Sequence, residues 1–271
     1  MNQNCPKCKT VNPQTARFCQ ACGTTLSATM VQERTVIAQT VPPIPLQMSP
    51  AQVQTVVQRA QKTFGAGPVA VMPNQGTRIM SNQREHTVQL TDISGSMSGR
   101  YDGRIIKLEA AKRANISMIL NKAQIDPYDE IGIASFETHA QKILPICPIH
   151  SHKSQIIQAV QSLQVYGGTD INEGLKVARD MFEWYRNDIV RRIVLLTDGH
   201  GGHPLRTADD LKSRGAVIDV IGIGDNPSNV NEKLLRKVAS VIEGELRYRF
   251  IKDQQTLVAH YTQLANKTAT C

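Results

Sequence analysis

Three short segments of this 271-residue chain carry oxygen donors at spacings that could surround a cation. The first is Asp92-Ile93-Ser94-Gly95-Ser96, where one carboxylate and two hydroxyls lie two residues apart. In a loop folding away from a strand end, that spacing can turn all three oxygens to one point. The second is Gly167-Gly168-Thr169-Asp170 and the third is Thr197-Asp198-Gly199. An all-oxygen set suits a hard cation such as Mg²⁺ or Mn²⁺. Asp92 and Asp198 would balance the charge of a divalent ion, and the hydroxyls of Ser94, Ser96 and Thr169 add none.

A second constellation is sulfur. Cys5, Cys8, Cys19 and Cys22 form C-x2-C-x10-C-x2-C. Each C-x2-C knuckle turns two thiolates to one point, and the loop between brings the second pair opposite, as tetrahedral Zn²⁺ requires. Two disulfides or a redox pair are the competing readings. Twenty-odd residues cannot bury a core, so Zn²⁺ would supply the folding energy. The stretch closely resembles the small zinc ribbons at the ends of many prokaryotic proteins. Cys147, in the run Ile143-Leu144-Pro145-Ile146-Cys147, reads as a packing residue.

The elements that must position the oxygen donors follow from periodicity. Strands are expected over 86–91, 130–136, 140–146, 193–196, 216–221 and 246–251. Helices are expected over 107–121, 154–164, 171–185, 209–214, 231–242 and 255–266. The turn Glu137-Thr138-His139 is too short for a crossover, so the second and third strands should pair antiparallel. Ile193-Val194-Leu195-Leu196 is apolar throughout, as a strand covered on both faces should be. The alternation argues a doubly wound, mostly parallel α/β sheet with one antiparallel edge strand. Residues 1–26 form the ribbon and 27–82 a Gln-, Pro- and Thr-rich linker. Within the linker, Ser49-Pro50 could start a short helix and threonines such as Thr35 and Thr40 could accept phosphate. The α/β domain fills 83–271.

The set D-x-S-x-S, a later threonine and a later T-D-G resembles the von Willebrand factor A domain over about residues 84 to 266. That likeness implies strand order 3-2-1-4-5-6 and a metal-ion-dependent adhesion site made by Asp92, Ser94, Ser96, Thr169 and Asp198. It also implies that an acidic residue of a partner protein completes the coordination of Mg²⁺ or Mn²⁺. Intracellular members often serve ATPase, chelatase, kinase or phosphatase systems. His200 and His203 would lie near the metal rim, where they could tune partner choice, bind metal or simply be solvated. Asp170 is open to two roles, supporting the site or capping the helix that begins at Ile171.

Composition narrows the function classes. No apolar run reaches the ~18 residues of a membrane span. The polar start Met1-Asn2-Gln3-Asn4 lacks the apolar core of a signal peptide, so a reducing cytoplasm is expected. The net charge of +8 is spread mostly over the first third, with no dense basic cluster, and aromatics are only 4%. Nucleic-acid binding is therefore disfavoured, although a ribbon-based nucleic-acid role is the alternative to protein docking. A metal-dependent hydrolase is the least supported reading, because no histidine sits in a recognisable motif with Ser94 or Ser96. No catalytic residue is assigned.

Overall fold

A computed structural model of the chain describes residues 2–4, 9–13 and 84–266. Cys5, Cys8, Cys19, Cys22, the expected helix after Ser49, the linker threonines and Cys271 lie outside the described residues. Two units divide at Pro45–Leu46. In the first, Asn2–Asn4 pairs antiparallel with Val11–Pro13.

In the second, six strands form one sheet. They are β1 (Arg84–Asp92), β2 (Glu130–Phe136), β3 (Ala140–Pro148), β4 (Ile189–Thr197), β5 (Ala216–Ile223) and β6 (Tyr248–Ile251). The order across the sheet is β6-β5-β4-β1-β2-β3. Every neighbouring pair is parallel except β2 with β3, which runs antiparallel at the edge. Chain order reverses between β1 and β4, and ligands of open α/β sheets bind at the carboxyl end of such a reversal.

Among the described residues, six helices cover the two faces: α1 (Lys107–Ile125), α2 (Ile149–Gln161), α3 (Ile171–Met181), α4 (Leu205–Ser213), α5 (Glu232–Val238) and α6 (Gln254–Asn266). Side chains alternate along each strand. On β1, Val88 and Leu90 join Ile171, Leu175 and Ala178 of α3 in one core. On β4, Val194 and Leu196 join Leu108, Ala111, Ala114 and Met118 of α1 in the other. Two polar alternates of β1, Gln89 and Thr91, bond to α1 within the layers. Asn115 of α1 donates to Thr91 Oγ1 (3.0 Å), and Gln89 donates to the Asn115 carbonyl (3.1 Å).

Two expected helices are shorter than their apolar spacing suggests. The helix expected over 171–185 stops at Met181, and Phe182 is extended. Trp184 explains the stop: its indole N–H donates to the Arg179 carbonyl (2.9 Å), and its ring packs edge-on against Phe182. Phe182 still reaches the same core as Ile171, Leu175 and Ala178. The helix expected over 231–242 is only α5. Ser240 then bonds to both backbone groups of Ile218 on β5, pulling the chain out of helix. Val241–Ile242 pairs antiparallel with Glu245–Leu246, leaving 248–251 as the sheet strand. The turn between them has positive φ at Glu243 (52°) and Gly244 (79°), the backbone of a tight hairpin. Helix α2 begins five residues before the expected start, directly after Pro148, with Ile149 buried.

Candidate metal centre

All three oxygen-bearing segments end at the carboxyl edge of the sheet, where β1 and β4 lie side by side. Asp92 is the last residue of β1, and Thr91 pairs with Leu196 of β4, so Asp92 and Thr197 finish adjacent strands. Asp92 is fully buried. Its Oδ1 accepts the Ser94 backbone N–H (2.8 Å), which curls the loop back over the strand end. Its Oδ2 accepts the Thr197 hydroxyl (2.6 Å). Ser94 Oγ and Ser96 Oγ are 3.0 Å apart, and Ser96 Oγ donates to Asp198 Oδ1 (2.7 Å). Ser94 and Asp198 are buried, whereas Ser96 is exposed, so the cluster has a closed floor and an open top.

Thr169 arrives from a loop between α2 and α3. That loop is tied to the first segment by Gly95 N–H to the Gly167 carbonyl (2.9 Å) and Tyr166 N–H to the Ile93 carbonyl (2.7 Å). It is tied to the residue that follows β2 by Asp170 N–H to the Glu137 carbonyl (2.6 Å). A Cβ placed on Gly199 would lie 3.3 Å from Thr169 Oγ1 and 3.7 Å from Asp92 Oδ2, so these two oxygens flank Gly199. Gly201 passes so close to the Thr169 carbonyl that no side chain fits there.

The five sequence-predicted ligands are thus gathered at one place. Among the described residues, no group of three or more His, Cys, Asp or Glu side chains is placed to hold a metal. Here the donors are two carboxylates and three hydroxyls, a set that fits a hard divalent cation and not a soft one.

A family model for the von Willebrand factor type A domain matches residues 87–200, a span containing all five. Residues 87–200 form a von Willebrand factor type A domain. Its relatives include the uncharacterised protein sll0103 of Synechocystis sp., 27% identical over 162 residues, which cover 58% of this chain and 36% of that one. A solved von Willebrand factor type A structure from Catenulispora acidiphila aligns with 24% identity and a TM-score of 0.56, covering 68% of this chain and 42% of that one. The vWF domain of the type V pili tip protein Mfa5 from Porphyromonas gingivalis aligns with 13% identity and a TM-score of 0.57, covering 68% of this chain and 94% of that one. At these identities the two structures show a common fold. The chain spans between a fifth and just over a third of the length of the curated relatives it matches.

Electrostatics set the A domain's site apart from an ordinary polar surface. Burial pushes the Asp92 carboxyl up to about 6, against the opposing pull of its bonds from Thr197 and Ser94. A charge held there without a cation is costly.

Of the rim residues, Asp170 caps α3: its Oδ1 accepts the N–H groups of Asn172 (2.9 Å) and Glu173 (3.4 Å). Asp170→Ala is expected to cost about 1 kcal/mol of stability, a typical loss for such a cap, measured by urea unfolding. His200 and His203 are exposed on the loop that follows Asp198. His200 Nε2 lies 3.2 Å from the Asn229 carbonyl.

Three residues that sequence reasoning did not single out also belong to the A domain's site. Thr197 orients Asp92, and its place beside Asp198 in T-D-G was the available signal. Glu137 backs the Thr169 loop, with its carboxylate against Gly167. Lys107, the first residue of α1, puts its ammonium 2.5 Å from Asp198 Oδ2, and no motif spacing announced it.

Among the described residues, no helix is long and apolar enough to cross a membrane.

Proposed function

We propose that the A domain is a metal-dependent protein-docking module, an intracellular adaptor that captures an acidic residue of a partner protein. The observation that carries this reading is the convergence of Asp92, Ser94, Ser96, Thr169 and Asp198 on one sheet edge with Ser96 open to solvent. These five side chains would hold Mg²⁺ or Mn²⁺, and the bound ion would supply a coordination position for a carboxylate from outside. Asp92 and Asp198 provide the anionic floor. Ser94, Ser96 and Thr169 provide neutral donors, so the charge of the site stays low enough to attract a further acid. Thr197 and the Ser94 backbone N–H hold Asp92 in place. The pilus tip domain with the same fold is consistent with a binding rather than a chemical role.

Cys5, Cys8, Cys19 and Cys22 complete the proposal as a Zn²⁺ ribbon that positions or engages a second component. Their thiolate chemistry is the reason for an intracellular setting. One zinc per chain, retained in an Asp92→Ala variant, is the expected result of elemental analysis.

Affinity capture with the intact chain as bait tests the docking role. Three lanes are needed: wild type in Mg²⁺, wild type in EDTA, and Asp92→Ala in Mg²⁺. A carboxylate-dependent partner should appear only in the first. EDTA also removes zinc, so the Asp92→Ala lane separates the two metals. Identical capture in all three lanes would contradict the proposal.

A further inference from the structure

Lys107 breaks a local rule. It is the first residue of α1, and a cation at a helix N-terminus opposes the positive end of the helix dipole. The residue before it, Ile106, offers no side-chain cap. Nothing local favours a lysine here. Its backbone N–H is fixed to the Gly99 carbonyl (3.0 Å), and its tail runs past Gly99, where a Cβ would lie 3.7 Å from Cε. The ammonium ends 2.5 Å from Asp198 Oδ2. The Lys107 side chain is only 14% exposed, and that of Asp198 is fully buried. Rule-breaking residues of this kind are expected where function, rather than helix stability, selects them.

The two carboxylates of the site are treated differently. Among the described residues, the donors that hold Asp92 are neutral, the Ser94 N–H and the Thr197 hydroxyl. Asp198 is held by the Ser96 hydroxyl on one oxygen and by the Lys107 ammonium on the other. One of the two anions thus has a cation beside it, supplied by the chain itself.

We infer that Lys107 is a built-in competitor for the divalent ion: its ammonium occupies Asp198 in the ion-free domain and is displaced when a divalent ion binds. The inference rests on the docking reading of the same site and deepens it, by making ion binding, and hence partner capture, weak enough to be conditional. Two consequences have opposite signs. Lys107 stabilises the ion-free fold by neutralising a buried carboxylate. It weakens divalent binding, because a like charge must leave or be tolerated close by, and charge pairs at a partly buried site interact far more strongly than in water.

The test titrates Mn²⁺ into the intact chain and counts free Mn²⁺ by electron paramagnetic resonance. Asp92→Asn serves as the blank that defines the site. Lys107→Gln is expected to bind Mn²⁺ at least about tenfold more tightly than wild type. Lys107→Arg, which keeps the charge, should stay within about threefold. Without divalent ions Lys107→Gln should melt below wild type, and saturating Mn²⁺ should close that gap. A merely structural lysine would lower the melting temperature without tightening the ion.

A measurement that leaves Lys107 in place guards against a Lys107 variant that does not fold. Acetylation of Lys107 by acetic anhydride, followed by mass spectrometry, should rise severalfold when Mg²⁺ is added, and should not change in Asp92→Asn. Unchanged or weaker Mn²⁺ binding by a folded Lys107→Gln would overturn the inference while leaving the docking reading intact. Lys107 acetylation indifferent to Mg²⁺ would overturn it likewise. No Asp92-dependent Mn²⁺ binding in any of the proteins would overturn both together.

Discussion

Asp92→Asn is expected to abolish measurable Mg²⁺ and Mn²⁺ binding at the sheet edge, a loss of more than about 100-fold in affinity. Changing a residue that merely orients a metal ligand costs about 10–100-fold, and Asp92 is proposed as a ligand itself. The substitution keeps shape and most hydrogen bonding. The amide oxygen can still accept the Ser94 N–H, and the amide nitrogen can face the Thr197 hydroxyl. The fold should therefore survive. It should even gain, because removing a fully buried carboxylate removes a desolvation cost. Without divalent ions, Asp92→Asn should melt at or above the wild-type temperature. Calorimetric titration with Mn²⁺ and thermal melting of the same samples check both halves. Loss of binding together with collapse of the fold would mean that Asp92 is structural.

Arg192→Met is expected to destabilise the domain by about 3–5 kcal/mol, the range for removing one partner of a buried ion pair. Arg192 is fully buried within β4, upstream of Asp198, which follows the strand's carboxyl end. Its Nε donates to Asp219 Oδ2 (2.7 Å) and its Nη1 to the Leu264 carbonyl (2.8 Å). Glu85 lies 3.5 Å from Nη1 and also receives Lys122, 2.8 Å away. Lys122 in turn bonds to Asp129 (2.7 Å). The cluster joins β1, β4 and β5 to α1 and α6. Urea unfolding of Arg192→Met would measure the loss.

The same cluster predicts acid sensitivity. Burial alone would raise the Glu85 carboxyl, but Lys122 and Arg192 outweigh it and hold that carboxyl well below its ordinary 4.5. A depressed carboxyl stabilises the fold above its unfolded value and loses that contribution as pH falls. Wild-type stability should therefore decline from about pH 4.5 downward. The decline should be shallower in Arg192→Met.

The site was legible because its ligands come from short segments whose internal spacing is chemical. D-x-S-x-S, Thr169 and T-D-G each end a strand or sit in a loop, and the parallel register of β1 with β4 does the rest. The sheet was legible for a related reason: Ile193-Val194-Leu195-Leu196 and Glu130–Phe136 are dense apolar runs, and the turn after Phe136 admits only an antiparallel return. What was hidden depends on contacts distant in sequence. Lys107 meets Asp198 across 91 residues, and the Glu85 cluster joins residues from five elements. Nor did apolar spacing reveal that Trp184 ends α3, or that Val241–Ile242, the expected end of a helix, enter a hairpin turned by Glu243 and Gly244. In both places a side-chain or backbone hydrogen bond overrides the helical spacing: Phe182 is still buried, whereas Val241 is left exposed.

A crystal of the intact chain soaked in Mn²⁺ provides the most direct measurement. The expected result is an anomalous peak among Asp92, Ser94, Ser96, Thr169 and Asp198, with one coordination position open to solvent or filled by a carboxylate from a neighbouring molecule. A soaked crystal with no peak at those five residues, or with Mn²⁺ held only elsewhere, would contradict a metal-dependent docking site.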